Sequence, residues 1–377
     1  MKQLRIAMIG QRGVPATFGG IEHHVEELGS RLAQRGHEVI VYSRPNYVED
    51  PVTEHMGMRV KIVPTVDSKH LDAIVHSGLS TVAAMRERVD VVHYHAIGPG
   101  IPGAVPRYAS RAKVVLTVHG RDGERAKWGR GAHMVLSSAE WMSAKVPDAT
   151  IVVSRDLQRH YRETYHRRTW DIPNGVTEPV PLPPAAISGQ WGLTEGSYVL
   201  FVGRLVPEKA PDLLIKAFRR LPTDRRLVIA GGSSFTDDYV RSLERLAGAD
   251  DRVILAGYVF GDVLTELYTN AATFVLPSAL EGLPLTLLEA ASYGTPVVAS
   301  DIPPHVEVVG QEEPGRRLFP SGSEDDLVAA LERSLADPVA ERAGALTFRD
   351  IVLERYRWDA VVEETEHVYA EVLGLPT

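Results

Sequence analysis

Ala272-Thr-Phe-Val-Leu-Pro-Ser-Ala-Leu-Glu281-Gly-Leu-Pro-Leu-Thr-Leu-Leu-Glu289 reads as a strand, a turn and the start of a helix. The apolar run ending at Pro277 predicts a buried strand. Pro284 suits the first turn of the helix that follows, because that position needs no backbone N–H. Gly282, Leu283, Pro284 and Leu285 then stand at the positive end of a helix, a ready site for phosphate. Glu281 lies just outside that end and Glu289 about one turn inside it. One carboxylate is placed to meet a sugar beyond the phosphates and the other to reach a ribose. Two glutamates at this spacing also occur on solvated helices, so the stretch needs support from elsewhere.

Gly203-Arg204-Leu-Val-Pro-Glu-Lys209 supplies it. Tyr198–Val202 predicts a strand, and Arg204 follows its C-terminal end, where open α/β sheets hold their ligands. Arg204 offers a planar fork of donors and Lys209 a compact charge; together they suit a diphosphate. The plainer alternative is surface pairing with Glu208 or Asp212. With the two glutamates, this set resembles the C-terminal domain of the retaining family-four glycosyltransferases. The resemblance implies the α/β GT-B fold, two Rossmann-like parallel-sheet domains facing each other across a cleft. It also implies that Arg204 and Lys209 hold the donor diphosphate, that Glu281 faces the donor sugar, and that Glu289 binds the ribose.

A chain of 377 residues suits two domains. There are no cysteines, which excludes disulfides, thiolate metal sites and cysteine nucleophiles. The N-terminus enters a strand directly with no secretory h-region, and no stretch approaches the length of an apolar membrane span. The expectation is a cytoplasmic protein, with peripheral contact at the inner membrane face. Residues 1–180 carry 24 Lys/Arg against 19 Asp/Glu, within a whole-chain charge of −8. That basic excess points to an anionic partner for the first half. No basic run is interleaved with aromatics, so nucleic acid is not expected.

Both halves alternate short apolar strands with helical stretches, the pattern of parallel sheets. The first half predicts strands at Arg5–Ile9, Glu38–Tyr42, Val60–Val63, Val89–His93, Val114–Val118 and Thr150–Val153, and a helix over Glu22–Arg35. The second predicts Val199–Val202, Arg226–Ile229, Val253–Ala256, Thr273–Leu276 and Pro296–Ala299. A proline-dense connector, 173–184, divides them. The first domain is expected over 1–175, on the acceptor side, and the nucleotide-sugar donor domain over 176–357. Trp358–Leu373 predicts an amphipathic helix, which by resemblance to GT-B proteins crosses back to the first domain.

Gly10-Gln-Arg-Gly-Val-Pro-Ala-Thr-Phe-Gly19-Gly20-Ile-Glu22 is not the dinucleotide fingerprint. Gly19 and Gly20 before a helix still permit close backbone approach to a ligand; the alternative is an ordinary βα turn. The wording of the stretch resembles a rhamnosyltransferase-like branch of the bacterial family-four enzymes, found in polysaccharide assembly, with Gln11 where threonine is expected. His119 ends a strand and is placed for the interdomain cleft. The resemblance gives it contact with the donor sugar. Arg125, Lys127 and Trp128 are read as shaping the acceptor side. His93 and His95 end another strand without an assigned role. Gly257-Tyr258-Val259 follows a strand and is placed to frame a nucleotide base through backbone groups; the alternative is a common βα turn. No Asp-x-Asp occurs, and no metal site or cofactor is expected, the diphosphate being neutralised by Arg204, Lys209 and helix N–H groups.

The resemblance implies transfer of a sugar from a UDP-, dTDP- or GDP-linked donor to a hydroxyl of a glycan or polyprenyl-linked acceptor. Three other readings stay open: a GT-B nucleotide-sugar epimerase, a soluble natural-product glycosyltransferase and a non-catalytic nucleotide-sugar binding protein. A glycoside hydrolase fits poorly, since the two glutamates sit on opposite sides of a helix start.

Overall fold

The computed structural model describes residues 2–17, 19–45, 47, 52–66, 72–121, 130–233 and 237–376. The chain forms two compact units: Met1–Gly175 with Trp358–Thr377, and Val176–Arg357.

Unit 1 is built on eight strands: β1 (Arg5–Ile9), β2 (Glu38–Ser43), β3 (Glu54–His55), β4 (Met58–Ile62), β5 (Val91–His95), β6 (Lys113–Val118), β7 (Ala149–Val152) and β8 (Trp170–Asp171). Their order is β3-β4-β2-β1-β5-β6-β7-β8. All pairs are parallel except β3 with β4. The helices are α1 (Gly20–Gln34), α2 (Asp72–Arg86), α3 (Ala104–Ala109), α4 (Arg130–Lys145) and α5 (Arg155–Tyr165). Strand order runs one way from β1 and the other way from β5, so the loops after these two strands open the crevice where doubly wound sheets bind ligands.

Unit 2 carries α6 (Ala186–Trp191), β9 (Tyr198–Val202), α7 (Pro211–Arg219), β10 (Arg226–Ala230), α8 (Asp237–Ala247), β11 (Val253–Gly257) and α9 (Gly261–Asn270). It continues through β12 (Thr273–Leu276), α10 (Leu285–Ser292), β13 (Val297–Ser300), α11 (Pro303–Val309), β14 (Arg316–Phe319), α12 (Glu324–Ala336) and α13 (Pro338–Arg355). The sheet is wholly parallel, in the order β11-β10-β9-β12-β13-β14. Its direction reverses between β9 and β12, the strands that Arg204 and Glu281 follow.

The last helix, α14 (Trp358–Leu373), belongs to unit 1. Trp358, Val361, Val362, Val368 and Tyr369 join one buried cluster with Ile6, Met8, Val25 and Leu28. Tyr369 Oη lies 2.7 Å from His93 Nδ1, and Glu366 accepts from Arg35 at 2.6 Å. This helix also changes the charge reading. It returns acidic residues to the unit, which holds 24 Lys/Arg against 23 Asp/Glu over 1–175 and 358–377. The basic excess of the first half is therefore not a property of the folded unit.

Trp358 is 4% exposed. Trp358→Ala should destabilise unit 1 by about 3–5 kcal/mol, the usual cost of emptying such a site. Hydrogen–deuterium exchange of the Arg5–Ile9 strand in rising urea reads this unit alone. Unchanged protection would mean that the helix is not part of its core.

Candidate active site

The loops after β9 and β12 are tied together before any ligand is considered. Glu208 O accepts from Ala279 N at 2.8 Å, and Gly203 N donates to Ala230 O at 3.0 Å. Gly231 holds φ +141°, and a Cβ there would lie 1.8 Å from Gly203 O. Only glycine permits this approach.

Lys209 pairs with neither Glu208 nor Asp212. Its ammonium donates to Glu281 Oε1, which also accepts from Ser278 Oγ at 2.8 Å. The two side chains are 14% and 9% exposed. Burial pushes the Glu281 carboxyl up; the Lys209 charge, then His305, and the hydrogen bonds from Lys209 and Ser278 outweigh it and hold it below its ordinary value. Arg204 is partly buried, two residues after the end of β9.

The helix start differs from the expectation in one respect. Pro284 is the N-cap of α10 and supplies no N–H; its carbonyl accepts from Leu287 and Leu288. Leu285 and Thr286 are the first helical residues, and their N–H groups have no acceptor within the helix. Thr286 Oγ1 is buried without a partner among the described residues. Gly282 and Leu283 are buried in the turn. Glu289, one turn on, accepts from Tyr268 Oη at 2.9 Å.

Ser278, Tyr268 and His305 were not singled out by sequence. Ser300 Oγ donates to Ser278 O, and His305 Nδ1 lies 2.9 Å from Ser300 O. A carbonyl only accepts, so Nδ1 carries the proton and Nε2 is a bare acceptor. Nε2 is buried with no partner among the described residues. The one available signal was position, since His305 opens a helix just after a strand. Tyr258 is 53% exposed. Its hydroxyl donates to Ser233 O at 2.9 Å, and its ring lies parallel to Phe260 at 6.0 Å. The pair offers aromatic faces to solvent.

In unit 1, the turn at Gly19 and Gly20, expected to permit close backbone approach to a ligand, has the chain's own Glu22 against it. A Cβ on Gly19 would lie 2.0 Å from Glu22 Oε2, and Glu22 Oε1 accepts from Arg12 N at 2.9 Å. His119 instead belongs to a histidine group at the β1/β5 crevice. His24, His95 and His119 bring one ring nitrogen each within 4.8 Å of one another, a group able to hold a cation that linear spacing did not reveal. His95 Nδ1 is 3.3 Å from His119 Nε2. His93 is a structural residue, bonded to Tyr369 and Thr117. Phe18, Arg125, Lys127 and Trp128 lie outside the described residues.

With this geometry in view, comparison places the chain. The sequence pattern described as "Glycosyltransferase Family 4" matches residues 18–178, and "Glycosyl transferases group 1" matches 186–346. The D-inositol 3-phosphate glycosyltransferase of Geodermatophilus obscurus is 31% identical over 329 residues, 75% of this chain and 70% of that one. The chain belongs to this glycosyltransferase family, and the protein is a glycosyltransferase of the GT-B fold. Sucrose-phosphate synthase from Thermosynechococcus elongatus has the same fold, with TM-score 0.85 and 24% identity over 99% of this chain and 100% of that one. Anabaena HepE in complex with UDP-glucose follows at TM-score 0.81 and 19% identity, covering 98% and 100%.

Two predictions come from the charges. Lys209→Ala strands a buried carboxylate and should cost about 3–5 kcal/mol, whereas Lys209→Met with Glu281→Gln should cost less. Urea unfolding of the three proteins ranks them; a Lys209→Ala protein as stable as the parent would contradict the pairing.

The second concerns acid. Burial drives His24, His76 and His305 down to about 4 and His93 to about 3, and takes His95 and His119 well below their ordinary value. The unfolded chain takes up these protons near pH 6.5, the folded chain only much lower. Stability is therefore complete above about pH 6.5 and falls as pH drops towards about 4. Glu281, with its lowered value, adds its loss only below the ordinary glutamate range. The thermal unfolding midpoint should fall from pH 7 to pH 5; a flat profile would contradict the buried neutral histidines.

Proposed function

We propose that this enzyme is a retaining transferase that moves a hexosyl or deoxyhexosyl unit from a nucleotide diphosphate sugar to a hydroxyl of a glycan or lipid-linked glycan, in the assembly of a cell-surface polysaccharide. One observation carries the donor reading: the Lys209 ammonium meets the Glu281 carboxylate between the loops that follow β9 and β12, just ahead of the start of α10. The HepE complex contains UDP-glucose, which supports a UDP-, dTDP- or GDP-linked donor here. The sugar of that complex is a hexose, which favours a hexosyl unit here. The rhamnosyl reading rests on the wording of residues 10–22 alone.

In this reading Arg204, Lys209, the N–H groups of Leu285 and Thr286, and the Thr286 hydroxyl take the charge of the departing diphosphate. Fixed donors aimed at developing charge are the largest catalytic lever available. The cations take the place of a metal ion. Glu281 faces the sugar as an anion near a positively charged transition state. Its Oε1 is already engaged by Lys209 and Ser278, which suits orientation and electrostatic stabilisation better than nucleophilic attack. Glu289, held by Tyr268, binds the ribose, and Tyr258 with Phe260 stacks on the base. His119 keeps the sugar-contacting role that the resemblance gives it. The acceptor side falls to unit 1.

The test uses purified protein, labelled nucleotide sugars and EDTA throughout, with and without a lipid-linked acceptor. Transfer should require the acceptor and survive chelation. Turnover of the donor alone would indicate an epimerase, and binding without turnover a sensor. Glu281→Gln should depress kcat more than nucleoside diphosphate affinity, and Glu289→Gln should do the reverse. Equal effects on both constants would contradict the division of roles.

A further inference from the structure

Helix α2 is built inside out. Its buried residues are His76, Ser77, Ser80, Thr81 and Ala84. Its exposed residues include Ile74, Leu79 and Val82, the last two 44% and 46% exposed. No residue between Asp72 and Arg86 is acidic or basic, and burial keeps His76 neutral with its value at about 4. A helix facing water normally shows the opposite pattern. Within the buried polar seam, Thr81 Oγ1 donates to Ser77 O and lies 2.7 Å from Tyr94 Oη, while the hydroxyls of Ser77 and Ser80 have no partner among the described residues. Among the described residues, the apolar face outside has no such account.

The neighbourhood extends this face and gives it a charged end. Helix α3 packs against α2 and exposes Val105 and Tyr108, the latter 75% exposed with Arg107 over its ring at 5.8 Å. Val91 of β5 pairs with Lys113 of β6, so the turns carrying Arg88 and Arg111 lie side by side. Arg86, Arg88 and Arg111 are exposed and form no ion pair with a described residue. The nearby acids are engaged elsewhere: Glu87 with Lys61, Asp90 with Arg5 N, and Asp148 with Arg107 and Lys113. An apolar helix face, an exposed tyrosine and a row of uncompensated arginines match the chemistry of an anionic bilayer surface. Such a surface takes apolar side chains at the acyl boundary and cations at the phosphates. A second copy of the chain would cover the apolar face and leave the arginines without counter-charge.

We propose that the outer face of α2, with Val105 and Tyr108 of α3, seats on an anionic lipid surface through Ile74, Leu79 and Val82, with Arg86, Arg88 and Arg111 on the headgroup phosphates. This deepens the lipid-linked acceptor reading by naming the face that meets the membrane. The experiment needs neither donor nor acceptor, so its outcome is separate from that of the transfer assay.

Vesicles of phosphatidylcholine with phosphatidylglycerol are sedimented with the full chain at low and high salt. The parent should co-sediment and release partly as salt rises, because only the arginine contribution is screened. Leu79→Glu with Val82→Glu should abolish binding. Arg86→Gln, Arg88→Gln and Arg111→Gln together should weaken it about 150-fold, which is about 1 kcal/mol per basic residue. Circular dichroism confirms that both variants fold. Absence of parent binding at low salt, or binding unchanged in the arginine variant, would overturn the proposal. Light scattering supplies the remaining arm: a dimer dispersed by Leu79→Glu with Val82→Glu, without vesicle binding, would assign the face to a second copy.

Discussion

The buried pairing of Lys209 with Glu281 is the constraint on which the proposed donor site depends. A carboxylate this enclosed must be neutralised or protonated, and the adjacent ammonium keeps it ionised. Because the partners are seventy-two residues apart, the pairing forces the loops after β9 and β12 into register. Those are the two strands at which the sheet of unit 2 reverses direction, so sheet topology and site electrostatics reinforce one another. The backbone bond from Ala279 to Glu208 serves the same end, holding the two loops close enough for one charge to answer another, while the glycine at 231 lets the loop after β10 approach Gly203. Ser278, Ser300 and His305 then fix the carboxylate's direction from behind.

Unit 1 solves a different problem. Its switch point is lined by neutral imidazoles instead of opposite charges, and its core is completed by a helix from the far end of the chain. Trp358 and Tyr369 supply aromatic bulk there, and Tyr369 also bonds His93. The acidic residues of that helix cancel most of the basic excess of the first half. Attraction to an anionic surface therefore becomes a local matter of where Arg86, Arg88 and Arg111 stand, not of the unit's net charge.

The parallel α/β architecture was legible because strand runs such as Thr273–Leu276 and helix patterns such as Trp358–Leu373 coincide with the elements formed. Three of the four edge strands were not, Val253–Gly257 being the exception. Glu54–His55 and Trp170–Asp171 are two residues long, and Arg316–Phe319 opens on two arginines instead of an apolar run. The residue types of the proposed donor site stand out in the sequence, but their partners do not. Nothing local says that Lys209 answers Glu281, or that Glu22 fills the turn at Gly19. Pro284 was placed inside the helix because its missing N–H suits a first turn; its φ and ψ put it at the cap instead. His305 and Ser278 carry no motif, and their importance appears only when β12 and β13 lie side by side.

The most direct test is a crystal structure with an intact nucleotide sugar bound. The account predicts the diphosphate on Arg204 and the N–H groups of Leu285 and Thr286, with the Lys209 ammonium shared between phosphate and Glu281. The sugar should lie against Glu281 and the ribose against Glu289. A diphosphate bound instead at the Gly19–Gly20 turn, with Lys209 and Glu281 touching no part of the donor, would contradict it.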